Sequence, residues 1–189
     1  MEPVTGIMAV SLGIALSACC GFRVFLPLLV VSIAMKTGWM PTESGEAWMG
    51  TWQAIISFGV ASLLEILAYY IPVIDNILDT IATPLAIGAG SLLAASFLPT
   101  GDWDPMLRWG LGILTGGGIA GTIQLGTSAL RLVSTKTTAG TGNSMLATGE
   151  HLAAGIGSVA ALFLPVIMAV LSLGLVFFLI YRLFVRTKR

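Results

Sequence analysis

The sequence predicts an all-α, polytopic transmembrane helical bundle of about six spans. Three observations carry this. The chain of 189 residues is 56% hydrophobic and only 10% charged, with a mean hydropathy of +0.95. Soluble domains carry about 25% charged residues, so this chain lacks the means to clothe a water-facing surface. Its apolar runs are also long. Residues 7–35 hold one charge, Arg23, and residues 151–180 hold no Asp, Glu, Lys or Arg. About 20 apolar residues suffice to cross the hydrocarbon of a bilayer. Finally, the stretches between the runs are rich in Pro, Gly, Ser, Thr, Asp and Asn, as loops are.

Six apolar segments follow, at about 6–36, 51–71, 81–98, 106–132, 145–164 and 165–184. One membrane domain covers 1–189. The fifth and sixth segments are divided by Pro165 alone. They form either a hairpin or one kinked span, since proline is tolerated in membrane helices. Charge favours the hairpin. With six spans, Arg131, Lys136, Arg182, Arg186, Lys188 and Arg189 share a side with both termini, and Lys36 and Arg108 fall on the other. Lys and Arg favour the cytoplasmic side, so both ends are expected in the cytoplasm and the chain in the inner membrane. The first helix is expected to stay in place, because its apolar region outruns a cleavable signal.

Two short matches hint at internal symmetry. Leu12-Gly13-Ile14 pairs with Leu111-Gly112-Ile113, and Glu65-Ile66-Leu67-Ala68 pairs with Glu150-His151-Leu152-Ala153. Halves at 1–99 and 104–189, of three helices each, would be inverted repeats, a habit of transporters. Matches this short also arise by chance.

Composition excludes several chemistries. The formal net charge is zero, so no basic field argues for nucleic acid. Cys19 and Cys20 are adjacent and apolar-flanked, which suits packing better than a disulfide or a zinc site. No cofactor motif is present. What remains is a set of ionisable groups at lipid depth. Arg23 lies deep in the first segment, where a charge costs at least about 2.5–3.5 kcal/mol. It either snorkels to the interface or pairs inward, with Glu65 or Glu150 as partner. An intramembrane carboxylate is expensive unless paired, protonated or hydrated. Glu65 and Glu150 are therefore candidate proton or cation carriers, against a reading as helix-end charges at the headgroups.

Asp75 and Asp79 are four apart and share a helix face, with Asn76 beside them. Bracketed by Pro72 and Pro84, this segment reads as an interfacial or re-entrant helix. It is a candidate cation or polar-ligand site, or the metal site of a transferase acting on a lipid diphosphate. Gly117, in the Gly116-Gly117-Gly118 triplet, serves either close helix packing or a ligand-facing unwound break.

The strings Gly21-Phe22-Arg23-Val24-Phe25-Leu26-Pro27, Glu65 through Pro84, and Arg131-Leu132-Val133-Ser134-Thr135 resemble the uncharacterised bacterial membrane family called domain of unknown function 4126. That resemblance implies an identity along almost the whole chain and no mechanism. The reading is a small transporter or channel-like protein for a small solute or ion, whose site combines Arg23, Glu65, Asp75, Asn76, Asp79, Glu150 and Gly117. Its partners are the lipid bilayer, a small solute and a second copy of itself. A metal-dependent transferase and a non-catalytic scaffold or lipid-binding protein are the alternatives.

Overall fold

The computed structural model describes the backbone of residues 3–40, 47–98 and 104–187, with their side chains apart from 3–5, 72–77, 79 and 183–187. Every regular element among the described residues is helical. In order these are α1 (Pro3–Cys20), α2 (Phe25–Lys36), α3 (Trp52–Ala68), α4 (Pro72–Phe97), α5 (Pro105–Gly112), α6 (Gly118–Thr138), α7 (Asn143–Phe163) and α8 (Pro165–Thr187). A π-helical stretch, Ile113–Gly117, joins α5 to α6 without a break. The described residues thus make seven continuous rods, not six.

The difference lies in the first apolar run, which the sequence predicts as a single span. It is two helices, α1 and α2, joined by a tight turn at 21–24. Pro27 supplies the reason. In an unbroken helix its ring would clash with the carbonyl four residues back, that of Arg23. Placed in the first turn of α2, it loses only an amide that has no helical partner anyway. Gly21 turns the chain against α6, where a Cβ would stand 2.6 Å from the Ala120 carbonyl oxygen.

Contacts with α7 fix the directions of the two helices. Cys19 Sγ lies at Gly157, and Leu26 Cδ2 lies at Gly155. Arg23 meets Glu150, and the ring of Trp39 meets that of Phe163 at 5.5 Å. The chain therefore runs against α7 along α1 and with it along α2, so α1 and α2 are a hairpin. Helix α3 returns beside α2, with Gly50 at Met35, Gly59 at Leu29, and Glu65 at Val24. Helix α7 ends at Leu164 (φ −131°, ψ 55°), where Pro165 cannot continue the backbone bonding. Helix α8 then folds back, bringing Met168 Cε within 3.8 Å of the Gly157 position. The expected hairpin at Pro165 is present.

With seven antiparallel rods, the start of α1 and the end of α8 lie at opposite ends of the bundle. The matched triplets around Gly13 and Gly112 both pack on α4, against Ala94 and Ser91 respectively, and both helices run antiparallel to it. They share a direction, and the rods divide four and three, so inverted three-helix halves do not describe this arrangement.

Among the described residues, three helical stretches are long and apolar enough to cross a membrane, Thr80–Phe97, Asn143–Phe163 and Pro165–Arg182. Gly6–Cys20, Phe25–Lys36 and Trp52–Ala68 are apolar but shorter. Helix α2, at twelve residues, is about 18 Å long. The core runs through α1, α2 and α4, with Leu16, Val31 and Leu93 fully buried. Small residues interlock α1, α4 and the π-helical stretch. Ser17 Oγ donates to the Gly90 carbonyl oxygen at 2.7 Å, and Gly116 packs directly on that same carbonyl. The outer faces carry large apolar side chains, such as Ile156 and Leu171, as lipid contact requires.

Candidate functional site

The α1–α2 turn exposes Arg23 to no water. Its side chain is buried, at 1% exposure, and points into the bundle. The turn itself is held by Arg23 N–H donating to the Cys19 carbonyl at 3.1 Å. Arg23 Nη2 lies 2.8 Å from Glu150 Oε2 on α7 and 3.4 Å from the Ala147 carbonyl oxygen. Arg131 Nη2, from α6, bonds to the same Glu150 Oε2. Two arginines from separate elements thus converge on one carboxylate oxygen.

Tyr69, at the C-terminal end of α3, is the platform beneath them. The Arg23 guanidinium carbon lies 3.7 Å from its ring centroid and that of Arg131 4.2 Å, distances at which a cation is attracted to a ring face. His151 completes the aromatic wall. It stacks on Tyr70 at 5.9 Å with the rings 6° apart, and meets Tyr69 edge-on. The Tyr70 hydroxyl and Thr148 Oγ1 share a hydrogen bond of 2.9 Å.

Glu65 sits beside this cluster and does something else. Its two carboxylate oxygens accept from the backbone N–H groups of Val24 (2.9 Å) and Phe25 (3.1 Å). These amides open α2, whose start has no side-chain cap of its own. A carboxylate there satisfies orphan donors and meets the positive end of the helix dipole. Arg23 and Arg131 are near enough to act on it electrostatically.

The structure therefore brings Arg23, Glu65 and Glu150 to one place. Arg23 lies in a turn, not along a span, and reaches inward. Gly117 does not join them. It packs on α4, where a Cβ would stand 2.6 Å from Ser91 Oγ, and it lies fourteen residues before Arg131 along the α6 rod, about 21 Å. Asp75, Asn76 and Asp79 lie in α4, which runs unbroken through Pro84; the side chains of all three lie outside the described residues. Among the described residues, no group of three or more His, Cys, Asp or Glu is placed to hold a metal ion.

Arg131 belongs to the candidate site although sequence reasoning leaves it out, counting it as a loop charge. A signal was there. Gln124, Thr127 and Arg131 fall at i, i+3 and i+7, one face of a helix, and all three are buried. Two grooves flank the cluster. One, of about 380 Å³, lies among α1, α7 and α8 and is walled by Phe22, Leu152, Ile156 and Leu171. The other, of about 270 Å³, lies between α3 and α4, with Glu65 and Tyr69 among its lining residues.

One comparison with known proteins returns a match, over residues 10–185. The chain belongs to the family described as Domain of unknown function (DUF4126). The matched DUF4126 region takes in Arg23, Glu65, Tyr69, Arg131 and Glu150, so the whole cluster lies inside the family's domain. No curated protein and no solved structure matches the chain.

Proposed function

We propose that this DUF4126 protein is a membrane transporter of a small anionic solute, with Glu150 holding the solute's place at Arg23 and Arg131. The observation that carries the reading is the shared carboxylate oxygen, gripped from two elements. Arginine forks suit carboxylate and phosphate groups. A proton added to the Glu150 carboxylate removes the charge that holds both guanidiniums. The anionic group of the solute then takes the vacated forks, and release reverses both steps.

Depth supports this reading. Trp39, Trp48, Trp52 and Trp109 are exposed and gather at one end of the bundle, as interfacial aromatic residues do. Thirteen residues separate Trp52 from Glu65 along α3. Thirteen also separate Glu150 from Phe163, the ring partner of Trp39, along α7. Each distance is about 20 Å at helical rise. Set against a hydrocarbon layer of about 30 Å, the reading puts the cluster inside the membrane, in the third furthest from the tryptophans. Lys136, Arg182 and Arg186 belong to that far end, so the proposal takes it as the cytoplasmic side of the inner membrane, with the start of α1 at the opposite face. A second copy of the chain completes the walls of the pathway.

Proton-driven uptake of acetate, phosphate and chloride into proteoliposomes tests the reading. Glu150→Gln should cut uptake at least tenfold while the protein stays folded. If no anion is taken up, or the variant matches the wild type, transport is wrong. The scaffold reading then gains, and the use of both Glu65 oxygens by backbone amides already favours it as second. The transferase reading rests on Asp75 and Asp79 alone and draws nothing from the arginine cluster.

A further inference from the structure

The α3–α4 groove has a rim and a floor of different character. Its rim, Leu64, Ile81 and Leu85, is 61%, 46% and 42% exposed, whereas Glu65 and Tyr69 beneath are 9% and 3% exposed. Between them the walls are Ala61, Ala68 and Ala82. Helices α3 and α4 are joined by a short turn yet diverge, since α3 packs mainly along α2. The groove is thus a side opening, placed by the tryptophan end at the depth of lipid chains. At about 270 Å³ it falls just below the range of ordinary ligand pockets, about 300–1,000 Å³, and suits a slender occupant.

Its floor leads to charge. The Tyr69 ring that lines the groove is the ring on which both guanidiniums lie, at 3.7 and 4.2 Å. An anionic group at the inner end of the groove is one ring away from Arg23 and Arg131. The nearer carboxylate, Glu65, is tied to the Val24 and Phe25 amides, and once Glu150 is protonated the two guanidiniums outnumber it. The Leu, Ile and Ala side chains add nothing to the affinity for a small water-soluble anion. An anion with an apolar tail does, because each buried methylene contributes about 0.8 kcal/mol.

We propose that the solute is an amphiphile of the long-chain carboxylate class. Its single hydrocarbon chain lies in the α3–α4 groove, and its head meets Arg23 and Arg131 beside Tyr69. This rests on the anion reading above and narrows it.

The test uses the full chain in phosphatidylcholine nanodiscs, with palmitate carrying a photoreactive diazirine on its chain. Label is expected on the segments 61–69 and 78–85. Unlabelled palmitate should suppress that label at least tenfold more effectively than its uncharged methyl ester. Ala61→Phe, which fills the groove, should lower labelling there at least tenfold without changing the label on the outer face of α8. Label spread over the outer helix faces in proportion to exposure overturns the proposal, as does equal competition by the ester. Acetate uptake by the wild-type protein, measured in parallel, separates the two failures. Uptake with no charge-dependent labelling removes the amphiphile and keeps the anion; neither signal removes both.

Discussion

Helix α1 is fixed in its last turn and just beyond its end by contacts of opposite kinds. Around Ser17 the backbones of α1, α4 and the π-helical stretch meet through Gly90, Gly116 and a single hydroxyl. Around Arg23 the hold is made by long side chains, Arg23 itself and Arg131 of α6 reaching one carboxylate on α7. The first junction has no adjustable part. A Cβ on Gly90 would stand 2.6 Å from both Ala120 Cβ and the Gly116 carbonyl oxygen, and packed cores do not deform continuously. The second is made of rotatable side chains whose grip depends on one charge. Only the second can rearrange without moving backbone.

The largest effect is expected at the rigid junction. Gly116→Leu should yield no monodisperse protein on size-exclusion in detergent, because its side chain meets the Gly90 carbonyl and Ala94 on a backbone with no room to move. This exceeds the usual overpacking cost of about 1–3 kcal/mol. A well-folded Gly116→Leu protein would show that the crossing is looser than described. Next comes the charged junction. Glu150→Gln leaves two buried guanidiniums facing a neutral group, and breaking a buried pair costs about 3–5 kcal/mol. Denaturant titration of the solubilised protein should show that loss, and Arg131→Gln in the Glu150→Gln background should add much less than it does alone. Additive losses would mean that Arg131 and Glu150 are not one unit.

The two junctions also differ in how well the sequence announces them. Helices as such were legible, because apolar runs of this length leave few other structures open. The hairpin at Pro165 was legible from charge alone. The split at 21–24 was not, since hydropathy sees residues 7–35 as one run; only the clash of Pro27 with the carbonyl of Arg23 reveals it. That miss had consequences, because an odd number of rods separates the chain ends and turns Arg23 from a mid-helix charge into a turn residue. Gly117 was open to two readings because a glycine records only that something comes close, and here it is Ser91. Glu65 was legible as a buried carboxylate. Its partners are backbone amides, which every residue has, so no sequence pattern could have named them.

Glu65 sharpens the contrast further. If it is the cap of α2 and Glu150 the exchanging carboxylate, their neutral variants must part company. Glu65→Gln keeps one acceptor and sets an amide N–H₂ against a backbone donor. A loss of about 1–2 kcal/mol is expected from a weakened charge-assisted bond, with anion uptake within threefold of wild type. Uptake abolished by Glu65→Gln in a stable protein would move the working carboxylate from α7 to α3.

The smallest effect checks that the glycines of α4 are not all alike. Gly90 is walled in by Ala120 and Gly116, whereas a Cβ at Gly88 would meet nothing within 4 Å. Both lie inside one helix, so the intrinsic gain from replacing glycine with alanine there is the same, about 0.5–1 kcal/mol. At Gly88 nothing offsets that gain, and Gly88→Ala should leave the melting temperature unchanged or slightly raised. At Gly90 the clash reverses the sign. Were Gly88→Ala as damaging as Gly90→Ala, the penalty would belong to helix α4 as a whole. The close approach of three backbones around Ser17 would then lose its claim to be the rigid counterpart of the charged turn.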